Sequence, residues 1–213
     1  MSYFLVVDDH SIVRSGLILL IKDFMPHAEI DEAYDGDSAF EKIKQKDYDL
    51  VIMDVNMPNT DSFGIFNSIF SFKPSIKIII FSMNAEELYA KRYLRMGAMG
   101  YLRKDAPGSE IQKAITSVLN NKKYISTELS EILLSDLQDK NHLENPFDKL
   151  SPREFEMVQH LSRGESVARI SQTLNLHKST VGTHKARIFE KLQCANIIEL
   201  NKLAEIHNVI LTT

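Results

Sequence analysis

Five short apolar runs, each followed by a longer amphipathic stretch, fill the first 120 residues, and this alternation restricts the possible folds more than any other feature of the chain. The runs are Tyr3 to Asp8, Glu29 to Tyr34, Asp49 to Asp54, Ile76 to Phe81 and Met99 to Leu102. Runs this short suit strands. The stretches between and after them, near residues 11 to 24, 37 to 46, 62 to 72, 85 to 96 and 108 to 119, have the length and periodicity of helices. Leu50 to Met53 and Ile78 to Phe81 are apolar on both faces, as strands covered by helices on either side must be, whereas Glu29 to Tyr34 alternates and reads as a sheet edge. The expected architecture is an open, doubly wound α/β sheet.

Beyond Asn120 the pattern changes. Residues 121–147 read as a linker: Leu129, Ile132, Leu133 and Leu137 share one face of a possible helix, and a polar tail ends in Asn145-Pro146. Residues 148–213 contain no strand-like run but four amphipathic segments, at 151–162, 166–174, 178–192 and 196–207, which predicts a small all-helical domain. The longest apolar runs fall far short of the roughly 20 residues that a membrane span requires. The apolar run at Phe4 to Val7 meets Asp8 and Asp9 at once, so neither a signal peptide nor membrane contact is expected, and the chain is placed in the cytoplasm. Cys194 is the only cysteine, which rules out an internal disulfide and a thiolate metal cluster. Charge is distributed unevenly. Residues 1–120 carry 13 Lys and Arg against 17 Asp and Glu, and residues 148–213 carry 9 against 7. Only the C-terminal part is net positive, a small surplus in favour of nucleic acid.

Ligands of an open parallel sheet sit beyond the carboxyl ends of its strands, near the point where strand order reverses. Asp8 and Asp9 close the first run, Asp54 the third and Ser82 the fourth, and Lys104 lies just past the fifth. Three carboxylates brought together repel one another unless a cation accompanies them, and all-oxygen ligation favours a hard ion such as Mg²⁺. In such a site Asp54 is the natural nucleophile for a phosphoryl group. Lys104 supplies a positive charge to the incoming oxygens, and the Ser82 hydroxyl supplies a hydrogen bond. A dinucleotide site is disfavoured, because the first run leads into Asp8-Asp9-His10-Ser11 and not a Gly-x-Gly loop.

Ser151-Pro152-Arg153-Glu154 has the pattern of a helix start, with a serine cap, proline in the first turn and a glutamate placed for a capping box. The stretch from Gly164 to Leu192 then gives two helices separated by Asn175-Leu176-His177, with Ile170, Leu174, Val181, Ile188 and Leu192 as the apolar seam. Ser179, Gly182, Thr183, Ala186 and Glu190 are left facing outward, with Lys178, Lys185 and Arg187 beside them. A helix-turn-helix presents its second helix to the major groove in this way. A helical dimerisation bundle would satisfy the same pattern.

The segments VVDDHSIVRSGL, DLVIMDVNMP, FSM and GAMGYLRKDAP resemble, in order and spacing, the receiver domain of two-component response regulators. The segment LSPREFEMVQHLSRGESVARISQTLNLHKSTVGTHKARIFEKL, continuing into NIIELNKLAE, is similar to LuxR-type output domains, and the pairing resembles the NarL/FixJ subfamily. The resemblance implies a flavodoxin-like (βα)5 receiver at 1–120 that takes a phosphoryl group on Asp54 from a sensor histidine kinase. It places Asp9, Asp54 and the backbone carbonyl of Asn56 around Mg²⁺ with Asp8 assisting. It also implies a switch, in which the Ser82 hydroxyl moves toward the phosphoryl group and the Tyr101 ring follows into the vacated space. At the other end it implies a helix-turn-helix that reads double-stranded promoter half-sites through Lys178, Ser179, Thr180, Gly182, Thr183, Lys185, Ala186 and Arg187, as a phosphorylation-dependent homodimer. The protein is then a regulator, not a turnover enzyme on a separate substrate.

Departures from the family pattern are local. Ser62 stands where glycine is usual, Asn84 where a histidine or small residue is common, and Gly182 where a long polar side chain is usual. Pro58 is expected to shape the loop after Asp54 by fixing its own φ and holding Met57 extended. Neither Ser62 nor Asn84 is expected to touch the acid pocket.

Overall fold

The computed structural model describes residues 2–57, 62–138, 145–174, 176–207 and 209. The expected sheet is present. Strands β1 (Tyr3–Val7), β2 (Glu29–Ala33), β3 (Leu50–Met53), β4 (Ile78–Ser82) and β5 (Gly100–Arg103) run parallel in the order β2-β1-β3-β4-β5. Each run found in the sequence contains its strand to within one or two residues, except that β4 and β5 each end one residue beyond theirs. Glu29–Ala33 is an edge, as its alternation implied. Order reverses between β1 and β3, whose register pairs Val7 with Met53, so the residues after these two strands emerge side by side.

Helices α1 (Ser11–Phe24), α2 (Gly36–Gln45), α3 (Ser62–Phe72), α4 (Glu86–Arg95) and α5 (Gly108–Leu119) cover the two faces. Alternate strand residues divide between them. Phe4, Val6, Leu50, Ile52 and Ile79 meet Leu17 and Ile21 of α1 and Ile111 and Ile115 of α5. Leu5, Val7, Val51, Met53 and Ile80 meet Ala39 and Ile43 of α2, Phe66 and Ile69 of α3, and Ala90 and Tyr93 of α4. At roughly 25 cal/mol per Å² of apolar surface removed from water, this two-sided burial is the main force that holds the strand ends in register.

The sixth helix, α6 (Thr127–Gln138), lies within the stretch read as a linker. Its face is used as the periodicity implied: Leu129 is buried in the core on the α2–α4 side and Leu133 packs against it. The side chain of Leu137 lies outside the described residues. The chain forms two compact units that divide after Ser135, so the 121–147 stretch contributes to both.

The second unit is helical throughout its described residues: a 3₁₀ turn at Pro146–Lys149, then α7 (Pro152–Ser162), α8 (Val167–Thr173), α9 (Lys178–Leu192) and α10 (Ile197–Ile206). Ser151 caps α7 by accepting from Glu154 N–H at 3.2 Å, and the Glu154 carboxylate accepts from Ser151 N–H at 2.8 Å, the capping box that the motif called for. Gly164 ends this segment at φ +74°, a left-handed conformation that a side chain would strain. Phe147, Phe155, Val158 and Leu200 are buried together with all five seam positions, Ile170, Leu174, Val181, Ile188 and Leu192.

Candidate functional site

The pocket is assembled by the backbone before any side chain acts. Asp8 N–H donates to the Ala33 carbonyl at 3.1 Å, Asp54 N–H to Val7 at 2.8 Å and Lys104 N–H to Ser82 at 2.9 Å. Each functional residue is thus pinned to the neighbouring strand's end. The Lys104 ammonium lies 2.6 Å from Asp8 Oδ2 and 2.9 Å from Asp54 Oδ2, where it bridges two carboxylates that are 2% and 1% exposed. Burial pushes the Asp54 carboxyl above the usual carboxylate range; Lys104 and the Asn56 N–H, which donates at 2.9 Å, act against that, and Asp8 adds to it. For Lys104 burial works against the charge, but the two aspartates outweigh it and hold the ammonium above its ordinary value.

Asp9 is more open and lies 2.9 Å from His10 Nδ1. Asp8 Oδ2 and Asp9 Oδ1 are shut off from water and, although Lys104 lies beside the first and His10 beside the second, neither accepts an aligned hydrogen bond. Asp8, Asp9 and His10 present ligand atoms within 4.8 Å of one another. Under-satisfied buried carboxylate oxygens beside the Asp54 side chain fit a hard divalent cation, so Asp8, Asp9 and Asp54 are the residues that could hold one.

Ser82 is fully buried, and its hydroxyl accepts from Asn56 Nδ2 at 3.0 Å and from Asn84 N–H at 3.1 Å. Asn84 Nδ2 donates in turn to Asn56 Oδ1 at 3.0 Å. The expectation that Asn84 stays clear of the pocket is therefore corrected. A side chain two residues past Ser82 is long enough to cross the gap to the loop after Asp54, which spacing along the sequence does not reveal. Tyr101 is buried at 1% exposure, and its hydroxyl donates to the Asn84 carbonyl at 3.0 Å. That burial pushes the phenol well above its usual range. Pro58 lies outside the described residues, as does the side chain of Ser62 at the start of α3.

In the second unit the α8–α9 turn is fixed from two directions. Leu176 N–H donates to the Ser171 carbonyl at 2.9 Å, and Ser171 Oγ donates back to the Leu176 carbonyl at 2.6 Å. The Arg153 guanidinium donates to the Leu174 carbonyl. Asn175, expected in this break, lies outside the described residues. On the far side Lys191 lies 2.7 Å from Glu154. Burial raises that carboxyl, but Lys191 and Ser151 prevail and hold it below the usual range. Helix α9 exposes Lys178, Ser179, Gly182, Thr183, Ala186 and Arg187, while Thr180 and Lys185 are half-buried. Thr183 Oγ1 donates to the Ser179 carbonyl at 3.0 Å, and Lys185 Nζ lies 5.6 Å from the centre of the Phe189 ring.

Comparison with known proteins decides the family. Residues 4–116 match the model of the response regulator receiver domain, and residues 148–204 match that of bacterial regulatory proteins of the luxR family. The chain belongs to the two-component response regulators. The response regulator GacA of Pseudomonas aeruginosa is 32% identical over 97% of this chain and 96% of its own length. The response regulator UvrY of Escherichia coli K12 is 31% identical over 96% of this chain and 94% of its own. Among solved structures, RcsB from Salmonella enterica serovar Typhimurium bound to promoter P1flhDC superposes with TM-score 0.68 at 22% identity, covering 95% of this chain and 97% of that one, which shows a shared fold. The response regulator thus combines a flavodoxin-like receiver with a LuxR-type helix-turn-helix, the NarL/FixJ arrangement that the motifs implied.

Sequence reasoning missed three features. His10 leans onto the acid pair, Asn84 joins Asn56 and Ser82, and Ser126 forms a buried contact with Glu86. Only the Ser126 contact left a sequence signal: a serine just before Thr127 is a helix cap.

Proposed function

We propose that the response regulator accepts a phosphoryl group on Asp54 from a sensor histidine kinase and is thereby switched for dimerisation and promoter binding. The observation that carries this reading is the Lys104 ammonium held between Asp8 and Asp54 at the sheet's carboxyl edge. An Asp54 carboxylate oxygen attacks phosphorus, and the bond from phosphorus to the donor's imidazole nitrogen breaks with its electron pair going to that nitrogen. Mg²⁺, held by Asp8, Asp9, Asp54 and the Asn56 carbonyl, would supply charge neutralisation. Lys104 then follows the phosphoryl oxygens, and Ser82 exchanges its Asn56 and Asn84 donors for a role as donor to the acyl phosphate. No separate substrate is turned over.

The output rests on α9. Lys178, Lys185 and Arg187 serve the phosphates. Ser179, Thr180, Gly182, Thr183 and Ala186 face the base edges, and the unoccupied surface above Gly182 leaves part of the reading to groove shape. RcsB has been solved on promoter DNA with a phosphomimetic, which supports the same partner for this chain. No helix among the described residues is long and apolar enough to cross a membrane, in keeping with a protein that works in the cytoplasm. Incubation with a small-molecule phosphodonor and Mg²⁺ should add one phosphoryl group to the wild type and none to Asp54→Asn, as read by intact mass. Equal labelling of both would end the reading.

A further inference from the structure

A buried polar contact ties the start of helix α6 to the receiver. Ser126, 3% exposed, donates its hydroxyl to Glu86 Oε2 at 2.8 Å and accepts from Leu129 N–H at 3.0 Å, so the group that caps α6 is also bonded to the first turn of α4. Glu86 is itself only 9% exposed, and its Oε1 has no hydrogen-bond partner. Around it stand Glu87 on α4, Glu110 on α5 and Glu128 on α6, at a cleft of about 380 Å³ that Arg103 and Asp105 also line. A buried carboxylate with one donor among like charges is a costly way to hold a helix, and an apolar pair would do so more cheaply. Two residues before Glu86, the Asn84 carbonyl accepts the Tyr101 hydroxyl at 3.0 Å. The buried ring, the start of α4 and the cap of α6 thus form one chain of hydrogen bonds and peptide links.

We propose that the Glu86–Ser126 hydrogen bond is a latch through which the buried state of Tyr101 docks the linker helix α6 on the receiver. With the ring buried, its hydroxyl holds the Asn84 carbonyl, α4 starts where Glu86 meets Ser126, and Leu129 and Leu133 are seated in the core. With the ring turned out, that carbonyl loses its donor and the first turn of α4 loses its anchor. The latch loosens, and α6 frays from its N-terminus. The trigger rests on the reading of Asp54 as phospho-acceptor, since a phosphoryl group that draws Ser82 toward itself favours the buried ring. The latch itself is independent of that reading. The direction is set by the structure, in which the buried ring and the docked helix occur together: phosphorylation tightens α6.

Amide hydrogen exchange over residues 127–134 of the full chain tests this. Ser126→Ala should speed exchange there by about fivefold, the usual effect of losing a cap. Tyr101→Phe should speed the same segment, and the double variant should be no faster than Ser126→Ala, because both break one chain of contacts. Glu86→Gln keeps an acceptor oxygen and removes the buried charge, so it should exchange no faster than the wild type, and β2, on the far edge of the sheet, should be unaffected throughout. If Tyr101→Phe leaves residues 127–134 unchanged, or if the two effects multiply, the latch is refuted. With phosphodonor and Mg²⁺, protein shown by mass to carry one phosphoryl group should exchange more slowly in α6, and Ser126→Ala should not. Labelled wild type with unchanged α6 exchange also refutes the latch. Failure to label at all refutes Asp54 as acceptor, while the variants still decide the latch.

Discussion

The acid pocket of the first unit and the proposed DNA-facing side of α9 in the second are both built from a handful of short polar and cationic side chains, but under opposite constraints. In the pocket Asp8, Asp54, Ser82 and Lys104 are almost shut off from water, and each is fixed by backbone pairing at a strand end and by at least one side-chain partner. On α9 the corresponding residues are open, apart from the half-buried Thr180 and Lys185, and the interactions found for them, Thr183 to its own helix and Lys185 over Phe189, are local. A site that must stabilise a transferring phosphoryl group needs its charges placed in advance and dehydrated. A face that must fit a groove needs only a rigid helix beneath it, and the α7–α8–α9 contacts provide that.

Removing one cation from each site should have opposite consequences for stability and binding. Lys104→Met leaves Asp8 and Asp54 buried without their counter-charge, and in divalent-free buffer the first unit should lose about 3 kcal/mol by urea denaturation. Mg²⁺ should restore part of that loss, and Asp54→Asn, which removes a buried charge instead, should not reproduce it. Lys185→Ala on the exposed face should change stability by less than about 0.5 kcal/mol but weaken DNA binding across sequences. Its plot of log affinity against log salt should flatten by about one. An unchanged slope would remove Lys185 from the phosphate footprint, and a large stability loss would show that its packing over Phe189 matters more than its charge.

The same contrast explains what could be read beforehand. The sheet was legible because burial on both faces forces continuous apolar runs such as Leu50 to Met53, and the grouping of Asp8, Asp54, Ser82 and Lys104 because all of them stand at the carboxyl ends of strands in one parallel sheet. The Asn56–Ser82–Asn84 bridge was not legible, since asparagine in a loop is also a common turn residue and nothing in its spacing indicates a reach across the site. Glu86 was hidden for a different reason: glutamate in the first turn of a helix normally reads as an exposed group that favours the helix dipole, whereas here it is buried with its carboxylate on Ser126. The helical boundaries of the second unit were legible from caps, whereas any base preference of the proposed DNA-facing side was not, because Gly182 presents no side chain at all.

Gly182 gives a sharper test of that last point. A Cβ built there would meet nothing within 4 Å, so no packing demands the glycine. Gly182→Ala should therefore stabilise the second unit by up to about 1 kcal/mol in thermal denaturation, the ordinary difference in helix propensity. A loss of stability would mean that α9 needs the backbone freedom that this position now has.

The smallest expected effect lies at Glu86, where the two kinds of site overlap: a charged group of the type seen on exposed helices, placed under burial. Burial, and then the nearby Glu110, Glu128 and Glu87, raise its carboxyl above the usual range, with the Ser126 donor acting the other way. A folded-state pKa above the unfolded one means that the folded protein binds more protons in the window between them, so this group's contribution to stability improves as pH falls. The cost is complete above the folded-state pKa and vanishes below the ordinary glutamate value. Glu86→Gln removes the titration while keeping an acceptor for Ser126, so it should melt above the wild type at neutral pH, and the gap should close as the pH is lowered through the glutamate range. A gap that stays constant with pH would show that the carboxylate is solvated where it sits, and that what distinguishes the pocket from the exposed helix surface is confined to the strand ends.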